Sequence, residues 1–216
     1  MILCISGLKR SGKDTIGNML IKKHNFKRIA MADSLKQLTA RVMELPESYF
    51  FEDSLKDAAF SSPFIFDDFL AHNLAFELNE LGYDVTPSLF SSKLGKELET
   101  PRDALVYIGT HVCRNLIDEN IWLDIALKKI KNTEGHIVVT DARFKNERDA
   151  IKSIGGITMF VDRPEISKKF NFEMADISEK DQLSDSYDVF VVNDRSIQLL
   201  ELEIDMWLNN KVKTLR

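Results

Sequence analysis

Cysteine is scarce in this chain: Cys4 and Cys113 are the two in 216 residues. Two thiols supply neither a disulfide framework nor a metal-ligand spacing, and Cys4, inside an apolar run, reads as a small buried residue. No apolar stretch is long enough to span a bilayer. No charged-then-apolar leader pattern opens the chain either, because the first apolar run passes at once into a glycine-containing loop. Excess positive charge is also missing. Lys and Arg number 29 against 34 Asp and Glu, a net charge of −5, which argues against a nucleic-acid coat or a binder of anionic membranes. A reduced, cytoplasmic protein acting on small molecules is expected, and pairing with a second copy is left open. There are no repeats or low-complexity tracts, no serine in a nucleophile-elbow pattern, and no Asn-Lys-x-Asp guanine-reading run. His24, His72, His111 and His136 show no triad or metal spacing. The 44% apolar and 29% charged content is that of an ordinary globular protein. Its length suits one domain with room for an insertion, large enough to bury a core without staples.

What the chain does have is concentrated at its start. Ile2 to Ile5 reads as a buried strand, and Gly7-Leu-Lys-Arg-Ser-Gly-Lys-Asp-Thr15 follows it. The spacing is G-x-x-x-x-G-K, with Asp14 where Ser or Thr is usual and Thr one residue later. Ile16, Met19, Leu20 and Ile21 then recur at helical spacing. Glycines let the backbone curl so that successive N–H groups face one anion, and the helix N-terminus adds its dipole. Lys13 adds a full positive charge for outer phosphates. The bland alternative is a strand–helix turn that binds nothing, and the strand, the helix and the lysine together disfavour it. A nucleoside triphosphate held by Gly7, Lys9, Arg10, Ser11, Gly12, Lys13, Asp14 and Thr15 is the expectation.

Strand and helix patterns then alternate. A second strand is expected over 26–32, with Asp33-Ser34 as the cap of a helix that Pro46 stops. From 46 to 100 the pattern is Phe-rich with Ser and Pro breaks, and reads as mostly helical with loops, including a helix within 66–81 ended by Gly82. Helices are expected from Pro101 through Val112 and over 121–130, a strand at 136–140, a helix at 144–154 closed by Gly155-Gly156, and a strand at 157–161. The stretch 165–184 is polar and poorly periodic, and reads as a loop or lid. A strand at 187–192 and a helix at 197–208 finish the chain. Such alternation implies a mostly parallel sheet covered on both faces, with ligands beyond the carboxyl ends of its strands.

Chemistry-bearing residues gather at those ends. Asp141 closes an apolar strand and could serve Mg²⁺ or cap the next helix; the glycine loop favours the metal. Arg143, two residues on, could stabilise charge on a transferring phosphoryl group or belong to a solvated helix start, as could Lys145 and Arg148. Asp33 could orient or deprotonate an attacking oxygen and Lys36 could hold a substrate phosphate, or both could be an ordinary cap and first-turn charge. In Pro101-Arg102-x-x-Leu105-x-x-x-Gly109-Thr110-x-x-x-Arg114, the two arginines could flank one anion if Gly109 breaks or tightens the helix. Trp122 reads as core.

Taken together these residues resemble the deoxynucleoside monophosphate kinases of tailed bacteriophages. The resemblance runs over 2–38 and about 100–200. It is carried by the GKDT loop, Ala32-x-x-Leu35-Lys36, Pro101-Arg102-x-x-Leu105 with Gly109-Thr110, Trp122, Val139-Thr-Asp-x-Arg143-Phe-x-Asn-Glu147, Gly155-Gly156, Arg163-Pro164, Ile177-Ser-Glu179 and Asn193-Asp194. Val106 stands where Gln is expected, His111 where an acid is usual, and Asp176 where His commonly precedes Ile-Ser-Glu. The resemblance implies an α/β P-loop NTPase three-layer sandwich, a single kinase domain over 1–216. A helical substrate-binding insertion at about 46–100 and a lid-like segment at about 164–185 would complete it. It implies transfer of the ATP γ-phosphoryl group to a deoxynucleoside 5′-monophosphate. Asp14, Thr15 and Asp141 would serve Mg²⁺, directly or through water. Lys13, Asp33 and Arg143 would be catalytic, and Asp33, Lys36, Arg102, Gly109, Thr110 and Arg114 would hold the acceptor. A phage-encoded chain would work in the host cytoplasm. Two alternatives stay open: dephospho-coenzyme A kinase, against which the Thr-Asp-x-Arg-Phe-x-Asn-Glu run argues, and a non-catalytic nucleotide-binding regulator.

Overall fold

The computed structural model describes residues 1–175, 177–183 and 186–214. Asp176, Ser184 and Asp185, inside the segment expected to be a lid, therefore lie outside the described residues. Numbered along the chain, the strands are β1 (Ile2–Ser6), β2 (Phe26–Arg28), β3 (Phe64–Phe66), β4 (Lys96–Leu98), β5 (His136–Val139), β6 (Ile157–Asp162) and β7 (Val189–Val192). The helices are α1 (Lys13–His24), α2 (Asp33–Val42), α3 (Ser48–Phe51), α4 (Asp53–Lys56), α5 (Asp68–Glu80), α6 (Pro101–Val106), α7 (Ile121–Lys131), α8 (Lys145–Ser153), α9 (Pro164–Ser167), α10 (Ile177–Leu183) and α11 (Ile197–Thr214). The chain divides into two compact units, 1–30 with 129–216, and 31–128.

The first unit is built on a five-stranded sheet of order β2-β5-β1-β6-β7, parallel throughout. β1 is central, so both of its faces must be covered, and Leu3, Cys4 and Ile5 are each fully buried. Side chains alternate along a strand. Leu3 and Ile5 join Ile16 and Leu20 of α1 and Leu200 and Ile204 of α11 in one apolar cluster. Cys4, pointing the other way, feels the charge of Arg148 on α8. Helices thus cover both faces, giving the expected three layers. A salt bridge between Lys23 and Glu201 and a hydrogen bond between His24 Nε2 and Asp205 Oδ1, both 2.7 Å, join the end of α1 to α11.

The second unit packs around Phe50, Phe66, Phe90, Leu74 and Leu78, all fully buried. Phe66 meets Phe90 and Tyr107 edge-on, at centroid distances of 6.5 and 5.5 Å. α6 continues as a π-helix from Tyr107 to Arg114. Gly109, in its middle, sits against α2: a Cβ there would come within 2.6 Å of Leu35 Cδ2. Its carbonyl accepts a hydrogen bond of 3.0 Å from Trp122 Nε1. The helix therefore widens at Gly109, where the sequence suggested a break or a tightening, and a tryptophan outside the helix partners a backbone carbonyl of the widened turn.

Several boundaries differ from expectation for local reasons. β2 ends at Arg28, not near 32; Ile29 N–H still reaches Val138 O at 3.0 Å, and the chain then turns. Asp33 is the first residue of α2, and the N-cap position falls to Ala32, whose side chain cannot cap. The stretch 46–100 holds, besides its helices, the antiparallel pair β3–β4, with Ile65 opposite Glu97. Each of those strands is three residues long, too short for alternation to announce itself. The polar stretch expected as a loop over 165–184 contains α9 and α10. α10 hides from a hydrophobicity pattern because polar groups dock it. Arg148, fully buried, donates from Nη2 to Asp181 O at 3.1 Å and from Nη1 to Arg143 O at 2.8 Å. Its Nη2 lies 3.3 Å from the Asp181 carboxylate, and the guanidinium stacks 5.4 Å over the Tyr187 ring.

Hydrogen bonds from a charged donor are among the stronger ones, and a buried charge network loses most when one member is removed. Arg148→Ala is therefore expected to lower unfolding stability by about 3 kcal/mol or more, read by urea titration. Loss of less than about 1 kcal/mol would mean that α10 does not depend on the guanidinium.

Candidate phosphate-binding site

β1 delivers its chain at the carboxyl edge of the sheet, and the loop that follows is bent by three residues of positive φ: Gly7 (153°), Arg10 (67°) and Gly12 (106°). At Gly7 a Cβ would lie 2.5 Å from Ser11 Oγ and 2.6 Å from Val161 O, so close packing as well as φ requires glycine. The turn closes through Ser11 N–H to Leu8 O at 3.0 Å. Asn193, just beyond β7, donates from Nδ2 to Ser11 O at 2.8 Å and braces the loop. The Gly7 N–H is itself taken by Gln182 Oε1 at 3.0 Å. Beyond it, the N–H groups of Lys9, Arg10, Gly12, Lys13 and Asp14 find no acceptor among the described residues. Gly12 is the N-cap of α1 and offers no side chain to its first turn. A curled run of open donors at a helix N-terminus is an anion cradle. Lys9, Arg10 and Lys13 add three cations with no carboxylate partner among the described residues. Ser11 Oγ is buried there without a hydrogen-bond partner among the described residues.

Asp141 reaches the same edge through sheet register. Cys4 pairs with Val139, the last residue of β5 and two residues before Asp141, and Ser6 Oγ donates to Ala142 O at 3.3 Å. Asp14 and Thr140 line one small cavity of about 100 Å³ with Gly17 and Arg28. The cap reading of Asp141 falls away. α8 starts at Lys145, and Glu147 Oε2 accepts from Arg143 N–H (2.7 Å) and Phe144 N–H (3.0 Å). The Arg143 guanidinium stays exposed and without an acidic partner among the described residues. Among the described residues no group of three His, Cys, Asp or Glu forms a metal cage. Asp14, Thr15 and Asp141 are hard oxygen donors, and that set suits Mg²⁺, which keeps waters and takes oxygens from phosphates.

A cleft of about 460 Å³ opens beside the loop, between Leu8, Lys9 and Arg10 on one side and Ile166, Lys169 and Phe170 on the other. Its wall combines apolar surface with the cations Lys9, Arg10 and Lys169 and the carboxylate of Glu179.

The acceptor residues expected from sequence all belong to the second unit. Asp33 and Lys36 are half-buried, 3.7 Å apart, and the ammonium of Lys36 lies 4.9 Å over the Phe51 ring. Arg102 makes a two-point ion pair with Asp57, and that hydrogen bond holds the Asp57 carboxyl below its ordinary range. Both partners are exposed, so the pair is screened and open to exchange for a phosphate. Arg114 Nε donates to Glu119 O at 2.8 Å, and Thr110 is exposed. Sequence reasoning missed Gln182 as part of the loop's surroundings, and Arg148, read as a stabiliser of phosphoryl charge or part of a solvated helix start, is instead fully buried and donates to Arg143 O and Asp181 O. A single amide or arginine in a charged stretch carries no periodic signal.

A parallel sheet with a glycine loop of this geometry after its central strand defines an α/β P-loop protein. Residues 99–204 match the family model described as deoxynucleotide monophosphate kinase. A protein of Acanthamoeba polyphaga mimivirus, provisionally named a deoxynucleotide monophosphate kinase, is 30% identical over 126 residues; the match takes in 51% of this chain and 62% of that protein's length. The crystal structure of shikimate kinase from Aquifex aeolicus aligns over 98% of both chains at 15% identity with a TM-score of 0.45.

The loop's strain yields a direct comparison. Gly7→Ala places a Cβ against Val161 O, whereas a Cβ at Gly155 (φ 82°) would meet nothing within 4 Å, so Gly155→Ala carries backbone strain alone. Strain of this kind costs on the order of 1–3 kcal/mol. Gly7→Ala should lose more stability than Gly155→Ala in urea unfolding and should also weaken triphosphate binding, which Gly155→Ala should not.

Proposed function

We propose that this protein transfers the γ-phosphoryl group of ATP to the 5′-phosphate of a deoxynucleoside monophosphate, giving ADP and a deoxynucleoside diphosphate. The observation that carries this reading is the open anion cradle of the loop 7–15, with its three uncompensated cations. The family match over 99–204 supports it. In the first unit, the loop N–H groups and Lys13 hold the triphosphate, and the cleft lined by Leu8 and Phe170 takes the rest of the nucleotide. Arg143 stabilises the charge that develops on the transferring group. Mg²⁺, when bound with ATP, neutralises phosphate charge, and Asp14, Thr15 and Asp141 would hold it directly or through water. In the second unit, Lys36, Arg102 and Arg114 grip the acceptor phosphate, Asp33 steadies Lys36 and orients the attacking group, and Gly109 and Thr110 border the acceptor. The segment 164–185 shields the nucleotide from water, which would otherwise accept the phosphoryl group. No covalent intermediate is needed; positioning and charge neutralisation account for the chemistry. With no helix long and apolar enough to cross a membrane among the described residues, and with net negative charge, the partners are small molecules and no polymer.

The deciding experiment is a panel of common nucleoside monophosphates with ATP and Mg²⁺, following ADP and the diphosphate formed. ADP should accumulate only when a deoxynucleoside monophosphate is present. Phosphorylation of dephospho-coenzyme A with no deoxynucleotide turned over would overturn the reading.

Lys13→Ala is expected to lower turnover by a hundredfold or more, on the order of 3 kcal/mol of lost transition-state stabilisation, while the far-UV spectrum and melting point stay near those of the parent. Near-normal turnover in the folded variant would remove the loop from the mechanism.

Arg102→Lys should raise the apparent KM for the monophosphate about tenfold or more and leave the KM for ATP within about twofold, because a lysine cannot reproduce the paired hydrogen bonds of a guanidinium. Equal effects on both substrates would place Arg102 outside the acceptor site.

A further inference from the structure

We propose that Gln182 is a positioning residue of the phosphate loop: its amide oxygen holds the Gly7 N–H, and so ties the docking of α10 to the shape of the anion cradle. The inference rests on the reading of the loop as the triphosphate site. Gln182 is 5% exposed, and Gly7 N–H to Gln182 Oε1 measures 3.0 Å in a buried setting. Gly7 is the first bend of the loop, wedged against Val161 O, and the open donors begin only after it. A buried N–H without an acceptor is costly, so the loop's first peptide is oriented by whatever accepts from it. That acceptor stands on α10, 175 residues further along the chain.

α10 is in turn held by further contacts. Arg148 donates to Asp181 O, Lys145 N–H donates to the Asp181 carboxylate, and Tyr187 OH donates to Gln182 O at 2.8 Å. The same Arg148 binds Arg143 O at 2.8 Å, two residues beyond Asp141. One short helix therefore touches both strands of the chemistry, the loop after β1 through Gln182 and the Asp141–Arg143 segment through Arg148. α10 docked is the condition in which Gly7 is oriented; α10 displaced leaves the Gly7 N–H free to rotate the loop's first peptide. Because the cradle must present its donors where transition-state charge appears, a misplaced first peptide lowers the rate of transfer more than it weakens acceptor binding.

The test uses Gln182→Met, which keeps the side-chain length and removes the acceptor, and Gln182→Glu, which keeps an acceptor oxygen. Melting temperature, ATP affinity by calorimetry, steady-state kinetics and Gly7 amide exchange by NMR are measured on parent and both variants. The expected result is a kcat at least tenfold lower and Gly7 exchange at least tenfold faster in Gln182→Met, with the monophosphate KM within twofold of the parent. Gln182→Glu should recover most of both. A purely packing role would lower the melting temperature and leave kcat per folded molecule and Gly7 exchange unchanged; that outcome overturns the inference. A Gln182→Met protein too unstable to assay, beside a Gln182→Glu protein with Gly7 exchange as fast as its neighbours, overturns it as well. If the parent binds ATP and turns over a monophosphate but Gln182→Met matches it, only this inference fails. If the parent does not bind ATP, the proposed function fails and takes this inference with it.

Discussion

The pairing of β1 with β5 on one side and β6 on the other is the constraint from which the site follows. All three run in one direction, so their carboxyl ends share an edge, and whatever leaves those ends is gathered there. The loop 7–15 leaves β1, Asp141 leaves β5, and Asp162 leaves β6 to receive the Asn193 N–H at 2.7 Å. A slip of β1 by one residue would send Leu3 and Ile5 to the face that now takes the smaller Cys4, and close packing on both covered faces resists that exchange. The register that ends β5 two residues before Asp141 is therefore held by the core, by Leu3 and Ile5 on one face and Cys4 on the other. Burial pushes the Cys4 thiol up to about 12 even though Arg148 pulls the other way, so this cysteine is packing and not a nucleophile.

Around that edge the protein uses polar contacts where an apolar contact would be cheaper. Arg148 is fully buried and Gln182 nearly so. An apolar contact would hold α10 against the sheet but would not orient it, whereas a guanidinium with fixed donor directions specifies both distance and angle. The arrangement trades desolvation for direction, and directed contacts are what a loop needs when it must present N–H groups to one point in space.

In the second unit the same economy of means appears in the helix from Pro101 to Arg114. A glycine lets it lie against Leu35, and the π-helical stretch places Gly109 O where Trp122 Nε1 can reach it. π-helical turns often mark functional positions, and here the stretch carries Thr110 and Arg114, two of the residues proposed for the acceptor. Arg102, at the start of the same helix, is occupied by Asp57 at the surface, an exchangeable partner for a guanidinium that a phosphate dianion would engage more strongly.

Local chemistry was readable from the residues alone. The apolar run, the spaced glycines and Lys13 announce the strand, loop and helix, because each acts within a few residues of itself; α1 indeed starts at Lys13 and ends at His24. The strand before Asp141 and the helices at 101 and 121 were legible for the same reason. Sequence left undecided whether Asp141 is a cap, and only the fold answers, since Glu147 supplies the helix start and β5 carries Asp141 to the loop's edge. Nor could it show the helix α10, the β3–β4 pair or the widened turn at Gly109. Their partners lie far away in sequence: Gln182 meets Gly7 across 175 residues. A periodicity reports which face of an element is buried, but it says nothing of which polar group waits on the other side, and that is decided only when the chain has closed on itself.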